Sequence, residues 1–195
     1  MEFLKAKTYI SQQLKKNLPQ HLTYHSTAHT KDVYVSANQI AKKEGVKGEG
    51  LKLLLIAAMF HDSGFMIQYK DHEKVSCGIA QETLPKYGFS KEQIKKICGM
   101  IMATRIPQKP KNLLEEILCD ADLDYLGRED FFDIGNRLFY ELQFYGIINT
   151  EKEWNVLQIH FLKQHNYFTQ TSIDTRKPIK EMHLALLKEK NKEIK

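Results

Sequence analysis

The chain is poor in the features that mark several protein classes. It has three cysteines, Cys77, Cys98 and Cys119. They cannot all pair and none form a CxxC, which argues against a disulfide scaffold or a zinc knuckle and for a reducing compartment. Each sits among apolar neighbours, the setting of a small buried hydrophobe. Residues 1–16, MEFLKAKTYISQQLKK, hold no apolar core of the kind a secretory signal needs, so the reading is cytoplasmic. The longest apolar run, Leu53 to Phe60, is too short to span a bilayer, and no membrane role is expected. Low-complexity linkers, internal repeats and strand-like alternation are missing too. The charge balance is a mild +5, from 29 Lys+Arg against 24 Asp+Glu. Much of the excess lies in RIPQKPK and the tail LLKEKNKEIK, and it suits either an anionic substrate or a solvated face. Basic and aromatic residues do not interleave along one face, so no nucleic-acid partner is expected.

What remains is one soluble, globular domain spanning residues 1–195, with 42% hydrophobic and 27% charged residues. Helical spacing dominates: Phe131, Ile134, Leu138 and Leu142 fall on one face, as do Ile94, Ile97 and Ile101. The pattern predicts an all-α fold of eight or nine helices, over roughly 2–17, 28–44, 50–62, 71–87, 90–104, 112–125, 129–146, 150–166 and 178–192. Turn chemistry supports the breaks. Gly88 reads as a helix C-cap, Ser90 with Gln93 as a capping box, and Thr150 with Glu153 as another. The segment 50–62 has almost no polar face, so it is predicted to lie inside the domain.

That buried helix ends on a chemically odd pair, His61-Asp62, in LLLIAAMFHDSGF. Burying a carboxylate without a partner is costly, and a bound cation would settle the cost. Gly64 can end the turn. Upstream stands His29 in YHSTAHTKDV, and downstream Asp122 in CDADLDYLG. The order H…HD…D, with these helical contexts, resembles the HD-domain superfamily, and within it the small stand-alone predicted metal-dependent phosphohydrolases.

The resemblance covers about residues 24–127; helices 129–192 carry no such motif and could complete the bundle, form a dimer face or gate a pocket. It implies an HD-domain helical bundle with a central buried metal site. His29, His61, Asp62 and Asp122 would hold one divalent cation (Mn, Fe, Co, Ni, Zn or Mg), leaving positions open for water and a phosphate oxygen. A second metal is less expected, because the chain lacks the HH pair of the binuclear members. Asp122 fits the family's A-D-(K/R/L)-L context, with Asp120 a candidate partner to a histidine. Glu73 is the candidate base or water positioner and Asp62 a second catalytic residue, with His72 an added ligand or substrate contact; the bland alternative for His72-Glu73 is an exposed first helical turn. His25 could line the pocket or bind phosphate. Arg105 and Arg128, less so Lys109 and Lys111, are candidate phosphate contacts or plain surface ion pairs. Tyr24 and Tyr69 could stack on a base. The implied activity is hydrolysis of a phosphomonoester or phosphodiester, of a nucleotide above all, by metal-activated water. The alternatives are a non-catalytic HD module binding a nucleotide or protein partner, and a purely structural helical protein. The expected partner is a small phosphorylated substrate, with a homodimer possible.

Overall fold

The computed structural model describes residues 1–193. Ten α-helices make up the described residues, with no strand among them. They are α1 (Phe3–Asn17), α2 (Thr27–Lys43), α3 (Gly48–Phe60), α4 (His72–Thr83), α5 (Lys91–Ala103), α6 (Leu113–Asp122), α7 (Phe131–Phe144), α8 (Glu151–Gln164), α9 (Gln170–Thr175) and α10 (Lys177–Glu193). Short 3-10 turns cover Ser63–Met66, Leu84–Tyr87 and Asp124–Gly127. No helix among the described residues is long and apolar enough to cross a membrane.

The all-α expectation holds, and the differences in detail have local causes. The segment 71–87 is not one helix: it changes to a 3-10 turn at Leu84, where Pro85 brings a ring and no N–H. The segment 112–125 stops at Asp122 and resumes as a 3-10 turn. The six-residue α9 was not foreseen. Its sequence QTSIDT has no apolar period, and a Thr169 side-chain cap on Ser172 N–H starts it. Both expected capping boxes are present, at Ser90/Gln93 and Thr150/Glu153, and Gly88 closes its turn at φ +73°.

α3 is the axis of the molecule. Every residue from Leu53 to Phe60 is buried, against α1, α2, α4, α5 and α6. With its neighbours it forms the main apolar core, around Ile10, Leu54, Ile56, Phe60, Ile97 and Ile101. The C-terminal helices build a second cluster around Tyr125, Phe131, Leu162 and Leu187, and a third with Leu142, Ile148 and Trp154. The two halves meet at the end of α6, where the candidate site also lies.

Candidate metal centre and its cavity

Four donor atoms converge at the centre of the bundle. His29 stands in the first turn of α2, His61 and Asp62 follow α3 directly, and Asp122 is the last residue of α6. His29 Nε2 lies 3.1 Å from Asp122 Oδ1 and 3.4 Å from Asp62 Oδ2. His61 Nε2 lies 3.1 Å from Asp62 Oδ2, 3.4 Å from Asp122 Oδ1 and 3.4 Å from His29 Nε2. A cation about 2.1 Å from each donor would space neighbouring donors at about 3.0 Å in an octahedron or about 3.4 Å in a tetrahedron. The five separations involving a histidine nitrogen fall in that range, and His29, His61 and Asp122 each offer a donor atom within reach of one ion.

Two further observations fit a cation. Asp62 Oδ2 is buried with no hydrogen-bond partner, a cost that a positive charge between the donors removes. His61 Nδ1–H donates to the Ala58 carbonyl at 2.8 Å, which fixes the tautomer and leaves the Nε2 lone pair facing the cluster. Electrostatics agree. Burial alone would lower the His29 pKa, but Asp122 and Asp62 outweigh it and raise it to about 9. His61 is likewise raised against burial, chiefly by Asp62. Burial opposes ionisation of the two carboxylates, yet the histidines hold both down, Asp122 to about 2. Without a cation, protons supply the positive charge here, so metal uptake releases protons.

The cluster opens into a cavity of about 390 Å³. Asp62 and Asp122 line its polar end together with Tyr24, His25, Tyr69, His72 and Glu73. Its other walls come from α7 and α8, so the C-terminal helices enclose the pocket as well as completing the bundle. Gly64 brings the α4 residues close. A Cβ there would lie 2.0 Å from the His72 carbonyl oxygen, so the turn after His61-Asp62 rests on the start of α4 in a way only glycine permits. Gly64 N–H also donates to Ser76 Oγ at 2.7 Å. The residue read as a turn terminator is a close-approach glycine, and its φ is not positive. As a result His72 Nε2 sits 3.4 Å from Asp62 Oδ1 and 3.6 Å from Glu73 Oε1. Phe65 stacks against both His25 and His72, with ring centroids 4.1 and 3.9 Å away.

The three aspartates of DADLD do three different jobs. Asp122 joins the donor cluster. Asp120 partners no histidine; it accepts from Phe168 N–H at 2.9 Å, Thr169 N–H at 2.8 Å and Thr169 Oγ1 at 2.7 Å, tying α6 to the segment before α9. Asp124 accepts from Ser36, Arg128 and Arg176. Asp120→Ala is expected to cost about 3 kcal/mol, because it strands buried N–H groups. A denaturant midpoint measurement reads this, and an unchanged midpoint would contradict it.

The two arginines lie elsewhere. Arg105 pairs with Asp71 at 2.7 Å and does not line the cavity. Arg128 pairs with Asp32 and Asp130, both at 2.8 Å, and faces a separate cleft beside His29. Lys109 and Lys111 are exposed and also outside the cavity. One site residue escaped the sequence. Glu141 on α7 is fully buried; it accepts from the N–H groups of Tyr24 and His25 at 2.9 and 3.0 Å and from His25 Nδ1–H. Burial would raise its pKa, and His25 holds it below the usual value. A lone acid one position before Leu142, in an apolar helix face, was the available signal.

No protein-family model matches the chain, and no curated protein does. Solved structures do. A protein described as a predicted HD superfamily hydrolase, from an uncultured Thermotogales bacterium, is 22% identical with a TM-score of 0.55, over 80% of this chain and 89% of that one. A Lactobacillus plantarum structural-genomics protein is 19% identical with a TM-score of 0.68, over 97% and 98%. Bacillus subtilis YpgQ in complex with ADP is 20% identical with a TM-score of 0.67, over 99% and 97%. At such identities the likeness is one of fold: the chain shares the all-α fold of these proteins, one of which is described as a predicted HD superfamily hydrolase.

Proposed function

We propose that the protein is a metal-dependent phosphohydrolase that cleaves a phosphate ester of a nucleotide with water as nucleophile. The observation that carries this reading is the donor cluster at the polar end of a cavity of about 390 Å³: the His29 and His61 nitrogens lie 3.1–3.4 Å from each other and from the Asp62 and Asp122 oxygens, and His29, His61 and Asp122 form a group that could hold a metal. Such a volume is in the usual range for a small-molecule site. A neighbour of the same fold named a hydrolase, and another in complex with ADP, support the same reading.

His29 Nε2, His61 Nε2, Asp62 Oδ2 and Asp122 Oδ1 would hold the cation. When bound, a divalent cation supplies Lewis-acid chemistry, polarising the phosphoryl oxygen and making water acidic enough to react near neutral pH. The remaining work falls to the chain. Glu73, buried on the cavity wall beside His72, takes the proton from the attacking water. His72, on the cavity wall with its Nδ1–H donated to the Tyr69 carbonyl at 3.2 Å, turns its Nε2 toward the metal end, where it can contact the phosphoryl group. His25, held at Nδ1 by Glu141, lines the same end of the cavity. These positions also orient the ester, since Phe65 fixes both rings.

Glu73→Gln keeps the shape and removes the base. Its kcat is expected to fall about 10²- to 10³-fold with metal content unchanged. The broader test is phosphate release from nucleoside monophosphates, cyclic nucleotides and simple phosphomonoesters with Mn, Mg, Co and Ni. Turnover supports hydrolysis; stoichiometric metal without turnover on any of them identifies a non-catalytic binding module.

A further inference from the structure

The part of the cavity walled by α7 and α8 has a chemistry that the metal end does not explain. No lysine or arginine lines it, so it offers nothing to a phosphate chain. Its walls are Phe131 and Leu138 from α7, and Trp154, Phe161 and Leu162 from α8. Among these apolar groups stands a single amide, Gln158, nine-tenths buried as a residue; it and Trp154 also line a second cleft beside Phe132 and Leu187. Its amide is not sealed in apolar packing: the polar atoms reach open space, where the edge of a ligand can meet them. Gly135 on α7 makes room for it: a Cβ there would come within 3.2 Å of Gln158 Oε1 and 3.8 Å of Trp154 Cζ2.

We infer that this chamber receives the nucleobase of the substrate and that Gln158 is the residue that reads its hydrogen-bonding edge. The inference rests on the proposed nucleotide specificity and adds the orientation and the reader. Apolar and aromatic walls suit the faces of a flat uncharged ring, and an amide presents one donor and one acceptor to its edge. The missing cations set the direction. The phosphate stays at the His25, His72 and donor-cluster end, and the uncharged heterocycle lies against α7 and α8. A lipid-like or plain aliphatic leaving group would fill the same walls but leave the amide unpaired.

Trp154 is the chain's single tryptophan, and it lines the chamber, so its emission reports on occupancy directly. The test titrates the full chain with adenosine, guanosine, cytidine and uridine, none of which carries phosphate. At least one is expected to give a saturable change in Trp154 emission. Gln158→Leu is expected to weaken that nucleoside about tenfold or more, because the base edge loses its partner. Gln158→Glu keeps the shape but replaces the donor by an acceptor, and is expected to change the order of preference among the four. No saturable change with any nucleoside at millimolar concentration would overturn the inference. So would wild-type affinity and preference in both variants. Because the titration needs neither metal nor turnover, failure of the hydrolytic reading shows separately, as absent phosphate release with the titration intact.

Discussion

Asp62→Asn is expected to reduce hydrolysis at least about 10³-fold, equivalent to about 4 kcal/mol of transition-state stabilisation. It is also expected to empty the site of metal while leaving the helical circular-dichroism spectrum unchanged. The reasons are geometric. Asp62 Oδ2 sits 3.1 Å from His61 Nε2 and 3.4 Å from His29 Nε2, buried and without a hydrogen bond. Its other oxygen is 3.4 Å from His72. An asparagine in that place has the same size but no charge. Its amide would either turn N–H groups toward a cation or leave only a weak neutral oxygen. Asp122 could not compensate, because it already occupies its own corner of the cluster. Metal analysis of the purified variant, alongside phosphate release, checks both halves. A variant with full metal content and full rate would show that the cluster is not the catalytic centre.

Gly64→Ala should damage the fold and the site together. The added methyl would lie 2.0 Å from the His72 carbonyl oxygen and 2.8 Å from the His72 carbonyl carbon. Both are backbone atoms, so no side-chain rotation relieves the clash. The turn 63–66 and α4 must separate, which breaks the Gly64 N–H bond to Ser76 and carries His72 and Glu73 away from Asp62. Overpacking of this kind, with a buried hydrogen bond lost, is expected to cost about 3–5 kcal/mol. Thermal unfolding measures it. A wild-type midpoint would mean that the turn does not rest on α4.

The sequence carried some of this well. α3 was legible because a helix apolar on all sides has only one place to be, and the capping boxes at Ser90 and Thr150 were legible because their chemistry is local. His29, His61, Asp62 and Asp122 were marked by order and context. The positions 29, 61 and 122 say nothing of distance; packing of α2, α3 and α6 brings the donors together. Where the reading thinned, the cause was tertiary. Arg105 and Arg128 looked available for phosphate because their acid partners, Asp71 and Asp32, lie 34 and 96 residues away. Glu141 and Gln158 went unmarked in the sequence. They are buried because α7 and α8 fold back over the cavity, and only the lone acid in an apolar face pointed to it locally. α9 was invisible for a similar reason, since a Thr169 cap and docking against α2 and α10 hold it rather than an apolar stripe.

The most direct test of the central claim is a calorimetric titration of the metal-stripped chain with Mn²⁺ in two buffers of different ionisation enthalpy. The four-donor arrangement predicts one tight site per chain, with protons released on binding because the His29 pKa is held near 9 in the absence of metal. It also predicts that His61→Ala abolishes that site. Absence of stoichiometric binding in the wild-type chain, or undiminished binding in His61→Ala, would contradict it.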